Sequence, residues 1–162
     1  MATKFFKCAV CGNVIVKFVD SGIIPECCGE EMVELQPDTT DGKVEYHIPV
    51  VERMEDSTLK IMVGAEPHPM TEKHHIVFIY AETENGGQIH YLDPTKPAQT
   101  VICDCTDKIV AVYAYCNLHG LWKAEFKEEE PDNCSRYEKC CCGSVGPNLK
   151  DVKMLLASIL YF

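Results

Sequence analysis

The chain has 162 residues, a net charge of −10, eleven cysteines and six histidines. Its acidity argues against nucleic acid and other polyanions, whose binding rests on neutralising phosphates with cations, and no apolar run reaches the roughly 18 residues of a membrane span. An odd cysteine count, with no apolar signal region before Cys8, argues against a fully paired secreted scaffold and for reduced or metal-bound thiols in a cytoplasm.

In chain order, residues 4–33 read as short strands and turns, with Val14, Val16 and Phe18 alternating as a half-buried strand. Cys8 and Cys11 flank Ala9-Val10, and the adjacent pair Cys27-Cys28 follows. Four thiolates close a tetrahedral site that suits zinc or a lone iron on ligand softness alone. Adjacent cysteines must splay their sulfurs to grip one ion, unlike the repeated CxxC knuckle of a zinc ribbon. A unit of about 35 residues buries too little apolar surface to stand alone, so its metal must hold it together. Gln36-Pro37-Asp38-Thr39-Thr40-Asp41-Gly42 is polar and turn-rich. The expected organisation is therefore a metal-binding unit over residues 1–36, a linker over 37–42, a second domain over 43–126 and an extension over 127–162.

The second domain offers seven β-like runs, at 44–51, 59–63, 75–81, 88–92, 100–105, 109–115 and 121–126, which predict an antiparallel β-sandwich. In the run ending at Cys116, alternation places Val110, Val112, Ala114 and Cys116 on one face, so the thiol leaves the end of a rigid strand. His119 comes from the following turn, where Gly120 accepts backbone conformations other residues resist. His68-Pro69-Met70 and Lys73-His74 add two imidazoles, and His47 stands in Glu45-Tyr46-His47-Ile48-Pro49. A soft sulfur among neutral nitrogens suits a redox-active transition metal better than calcium or magnesium. A structural zinc would need only four of these five ligands, and scattered histidines with satisfied hydrogen bonds are the plain alternative. Five ligands on an ion that accepts six leave one position open, which separates catalytic from structural metal sites.

Lys7-Cys8 through Cys11-Gly12, then Cys27-Cys28-Gly29-Glu30 and Met32, resemble desulforedoxin. His47-Ile48-Pro49, His68-Pro69-Met70, Lys73-His74 and Cys116-Asn117-Leu118-His119-Gly120-Leu121-Trp122 resemble the iron domain of superoxide reductase. In this order on one chain they resemble the desulfoferrodoxin family of two-iron superoxide reductases, over about residues 4–126. The resemblance implies an all-β protein: a small desulforedoxin-like domain, then an immunoglobulin-like sandwich. It also implies one iron on Cys8, Cys11, Cys27 and Cys28, and a second with His47, His68, His74 and His119 in a plane and Cys116 on the axis. The reaction implied is reduction of superoxide to hydrogen peroxide without release of dioxygen, with an external donor such as rubredoxin restoring ferrous iron. Glu45 matches a family glutamate able to occupy the open position of resting ferric iron. Tyr46 departs from the family, many members of which carry a lysine there to attract superoxide and help protonate the product. Lys73 is then the nearby cation. A homodimer is also implied.

His75 competes with His74, and the motif after Lys73 selects His74. His90 reads as an ordinary strand residue, Cys103 and Cys105 as buried thiols, and Trp122 as a core or site-wall aromatic. In the extension, Cys134, Cys140, Cys141 and Cys142 match no cluster motif, while Asn148 is placed to cap a short helix with an apolar stripe at Val152, Leu155, Leu156, Ile159 and Leu160. The competing functions are an electron-transfer iron protein without superoxide catalysis and a zinc-binding interaction module.

Overall fold

The computed structural model describes residues 3–40, 42–54, 58–103 and 107–126. The expectations for the extension and for Cys105 lie outside these residues. Among the described residues the regular elements are β-strands apart from one helical turn.

In the N-terminal unit β1 (Lys4–Lys7) lies between β2 (Val14–Lys17) and β5 (Val33–Glu34), and β3 (Glu26–Cys27) pairs with β4 (Glu30–Glu31). Successive side chains of a strand point to opposite faces, so Phe5 and Phe6 serve different cores. Phe6 packs with Cys8 and Met32 inside the unit, while Phe5 joins Phe78, Tyr80, Tyr113 and Tyr115 of the sandwich. Val14 and Val16 pack against that same aromatic cluster. Phe18, expected to continue their face, lies beyond the end of β2 and is 79% exposed.

The strand expected at 44–51 is in part a helical turn, α1 (Val44–His47), closed by Tyr46 N–H to the Lys43 carbonyl and Ile48 N–H to the Val44 carbonyl, both 3.1 Å. Pro49 forces Ile48 out of helical conformation, and Ile48 is extended at φ −67°, ψ 127°. Lacking an N–H, the proline opens β6 (Pro49–Arg53) at a sheet edge. The other expected strands are present with bounds shifted by one or two residues: β7 (Thr58–Val63), β8 (Ile76–Thr83), β9 (Gly87–Tyr91), β10 (Gln99–Cys103), β11 (Ile109–Cys116) and β12 (Gly120–Glu125).

One sheet runs β10-β7-β6 and the other β12-β11-β8-β9, all antiparallel. Between them lie Leu59, Ile61 and Val63 of β7, Ile76, Ile79 and Ala81 of β8, and Ile109, Val112, Ala114 and Cys116 of β11. The other face of β11 presents Ala111, Tyr113 and Tyr115 to the cluster around Phe5. Burial on both faces accounts for the near-continuous apolar run of β11. Val110, expected to face inward, is 40% exposed because the register with β8 shifts between Ile109 and Ala111. A second shift, between Tyr115 and Cys116, falls where the strand delivers its thiol.

Candidate metal centres

Cys8, Cys11, Cys27 and Cys28 bring four sulfurs within 4.8 Å of one another. Gly12 N–H to the Cys8 carbonyl (3.0 Å) closes the first loop, and Cys11 N–H points at the Cys8 sulfur at 3.4 Å. The adjacent pair is accommodated by Cys28 in the left-handed region, φ 56°, a conformation that costs a non-glycine residue of order 1 kcal/mol or more. Their sulfurs still lie 3.9 Å apart, and Cys11 reaches Cys27 at 3.6 Å. The Cys11 N–H holds Cys8 down to about 7, while hydrogen bonding to Cys11 pushes Cys28 up to about 12. Once the Cys8 thiolate forms, Cys27 and Cys28 keep their protons until a cation compensates the charge.

At one end of the sandwich His47, His68, His74, His119 and Cys116 place five donor atoms within 4.8 Å of one another. Successive ring centroids, His47 to His68 to His74 to His119 and back to His47, are 4.8, 4.7, 4.8 and 4.7 Å apart, with adjacent rings at 76°, 78°, 80° and 87°. The diagonal from His47 to His74 is 6.3 Å. Four imidazoles thus stand in a near-square, each almost perpendicular to its neighbours. The Cys116 sulfur lies 3.7 Å from His119 Nδ1 and belongs to the inter-sheet core, so it approaches the square from inside the protein.

Each ligand is held by its own local structure. His47 ends α1, and its Nδ1–H donates to the Lys43 carbonyl at 2.8 Å, which turns Nε2 toward His119 Nδ1 at 2.9 Å. Such outer hydrogen bonds fix the tautomer of a ligating histidine. His68 follows the turn after β7, where Gly64 adopts φ 87° against the Tyr46 backbone. His74 closes a tight turn with Thr71, whose N–H donates to the His74 carbonyl at 2.9 Å. Asn117 ties this turn to the Cys116 loop. Its side-chain amide donates to the Lys73 carbonyl at 2.9 Å and accepts from His75 N–H at 3.0 Å. His75 faces away, bonded to the Thr71 carbonyl through Nδ1. Gly120 takes φ 72° and lets β12 begin directly after His119.

Trp122, fully buried, stacks on His47 with centroids 4.7 Å apart at 22° and donates from Nε1 to the His119 carbonyl at 3.0 Å. The Thr40 hydroxyl donates to the same carbonyl. A Cβ at Gly42 would come within 2.7 Å of the indole. In the sequence Thr40 and Gly42 read only as linker and Asn117 only as part of the motif over residues 116–122, because their supporting roles depend on contacts with residues far along the chain.

On its solvent side the square opens into a cleft of about 840 Å³ walled by Thr40, Gly42, Lys43, Tyr46, Pro67 and Pro69, with His47, His74 and His119 at its base. Glu45 is exposed, its carbonyl accepting from Glu66 N–H at 3.0 Å, and Lys73 is exposed in the turn before His74. Neither lines this cleft. Of the remaining residues, His90 bonds Thr100 at 2.9 Å between the two sheets, and Cys103 is half-buried rather than buried.

Burial pushes the pKa of His68 down to about 4 and lowers those of His47 and His74, while it raises that of Cys116. The imidazoles of His47, His68 and His74 are therefore neutral and able to donate lone pairs at pH 7. Both ring nitrogens of His68 and Nε2 of His74 are buried with no hydrogen-bond partner, a costly state for polar atoms. A cation bound by those lone pairs removes the cost. Four nitrogens and one sulfur suit a transition metal, and the donor set fits iron.

An antiparallel β-sandwich with a four-histidine, one-cysteine centre, joined to a small four-cysteine unit, defines a class of two-centre iron proteins. The desulfoferrodoxin family profile matches residues 39–125. The chain is 38% identical over 122 residues to desulfoferrodoxin of Nitratidesulfovibrio vulgaris, covering 75% of this chain and 95% of that one. It is 40% identical over 123 residues to desulfoferrodoxin of Desulfarculus baarsii, with the same coverages. The crystal structure of superoxide reductase from Treponema pallidum superposes with a TM-score of 0.65 at 28% identity, over 77% of this chain and all of that one. The chain belongs to the desulfoferrodoxin family. Among the described residues no helix is long and apolar enough to cross a membrane.

Proposed function

We propose that the protein is a superoxide reductase, taking one electron from an external donor and passing it, with two protons, to superoxide to give hydrogen peroxide. The observation that carries this reading is the square of four imidazoles with a core-held thiol on one side and a solvent-open cleft on the other. His47, His68, His74, His119 and Cys116 would hold the catalytic iron, and Cys8, Cys11, Cys27 and Cys28 the second iron. Iron at the five-ligand centre supplies the electron and an open coordination position, and its thiolate makes it electron-rich.

The chain's own groups do the rest. The Lys43 carbonyl and the Trp122 indole fix His47, while Asn117 fixes the turns bearing His74 and Cys116. Core packing around Cys116 keeps water from the sulfur, so a small anion enters only through the cleft. Glu45, two residues before His47 but outside the cleft wall, would have to swing onto the open side to act as an exchangeable carboxylate, and Lys73, next to His74, contributes positive field from outside that wall. The proposal extends to rubredoxin or a similar small carrier as donor, to a homodimer and to a cytoplasmic setting that keeps the thiols reduced.

The test is to pulse the reduced, iron-loaded protein with superoxide and measure products. One hydrogen peroxide per superoxide, no dioxygen and a transient change in visible absorption support the reading. Unchanged spectra and no peroxide beyond spontaneous dismutation would leave an electron-transfer protein instead.

A further inference from the structure

We propose that Lys43 is the cation that draws an anionic substrate into the cleft above the four imidazoles, a role that rests on the superoxide reading. With a net charge of −10, the molecule as a whole repels anions, so attraction must arise locally. Position 46 cannot supply it, because a tyrosine side chain carries no cationic group. Of the described residues walling the cleft, Lys43 is the one with a charged side chain other than histidine.

Its placement follows from the helical turn. Lys43 is the N-cap residue of α1, so positions 43, 46 and 47 share one face of the turn. The ammonium sits over the Tyr46 ring, 5.6 Å from its centroid, a geometry in which the ring face attracts a cation. Tyr46 thus serves as the rest on which the charge is held at the mouth of the cleft. The Lys43 carbonyl bonds His47 Nδ1 at 2.8 Å, so the residue that carries the charge is fixed to the centre it serves. Among the described residues no carboxylate forms an ion pair with the ammonium.

The test uses the full iron-loaded chain with Lys43→Gln, which keeps the backbone carbonyl and removes the charge, and Lys43→Arg, which keeps the charge. Two quantities are read: the second-order rate constant with superoxide across ionic strengths, and the affinity of the oxidised protein for azide, a small anion that is not reduced. Lys43→Gln is expected to slow the reaction about three- to sevenfold at low salt, the factor for one charge some 7 Å from the anion at an effective dielectric of about 40 to 80. The two rates should converge as salt screens the charge. Azide affinity should fall by a similar factor, and Lys43→Arg should restore both. If the wild type reacts but Lys43→Gln changes neither rate, salt slope nor azide affinity, the role of Lys43 is overturned and the superoxide reading stands. If the wild type does not react with superoxide while azide still binds more weakly to Lys43→Gln, the superoxide reading fails and the anion site at Lys43 stands. A loss in Lys43→Gln that Lys43→Arg does not restore also overturns the proposal, since shape rather than charge would then be responsible.

Discussion

Replacing Trp122 by phenylalanine tests whether this residue positions the five-ligand centre or merely fills the core. The indole donates to the His119 carbonyl at 3.0 Å and lies flat against His47 at 4.7 Å, so one side chain supports two ligands. That carbonyl keeps the Thr40 hydroxyl as a donor, and the lost hydrogen bond therefore costs only about 1 kcal/mol. Phenylalanine leaves roughly 40 Å³ unfilled, which at about 24 cal/mol per Å³ adds about 1 kcal/mol. Little of that space can collapse, because Gly42 and His47 already close on the ring. The expected cost is about 2 kcal/mol of stability, read from the denaturation midpoint at unchanged m-value. Because outer supports of a metal site are worth about 10- to 100-fold in affinity, iron should also leave the five-ligand centre at least tenfold faster under a chelator. The tetrathiolate absorption should decay at the wild-type rate. A stability loss of this size with unaltered iron release would show that Trp122 is a core filler and that His47 and His119 need no support from it.

Three further outcomes are expected. Cys28→Ser should abolish the tetrathiolate spectrum while leaving the superoxide reaction largely intact, whereas Cys116→Ser should do the reverse, since a hard hydroxyl does not replace a thiolate; equal loss of activity in both variants refutes independent sites. Metal-free protein should lose stability as pH falls from about 6.5 toward about 4, because buried His68 titrates near 4 when folded and near 6.5 when unfolded, so the unfolded chain gains protons first; urea midpoints that stay flat or rise over that window refute it. Tyr46→Lys adds a second cation beside Lys43 and should raise the low-salt rate with superoxide and steepen its salt dependence, and pulse radiolysis showing neither change means position 46 does not face the entering anion.

The sandwich was legible because its strands carry their own signal. Leu59, Ile61 and Val63 alternate with half-buried neighbours, and β11 reads as one apolar run ending at Cys116. The helical turn at Val44–His47 was not legible. A single turn has no period to detect, and Val44 and Tyr46 favour strands by propensity, so only the bonds to Lys43 and Val44 and the break at Pro49 decide it. That turn moves the cleft's charge out of sight as well: in a strand positions 43 and 46 point to opposite faces, and in a turn they meet. Val110 was misplaced for a related reason, since alternation fails wherever the register slips. Cys28 shows the limit of spacing arguments. Adjacent ligands look awkward until one of them adopts a positive φ.

The two centres also differ in how the chain prepares them. Among the described residues the small unit's own core is Phe6, Cys8 and Met32 with Cys27 against them, too little apolar surface to offset the entropy of ordering its loops. Cys27 and Cys28 hold their protons above the ordinary thiol range, and a metal must displace them, so metal binding and folding of these loops form one equilibrium. At the five-ligand centre each histidine is placed by backbone bonds, a tight turn or aromatic stacking, and the thiol is set by a strand within the main core. Strand β1 joins the two regimes, with Phe6 facing the metal unit and Phe5 locked among Phe78, Tyr80 and Tyr113. Loss of the tetrathiolate metal therefore releases the loops around Cys8, Cys11, Cys27 and Cys28 while Phe5 still anchors β1 to the sandwich. That division of labour lets one site come and go without dismantling the other, which is why the two cysteine variants are expected to separate so cleanly.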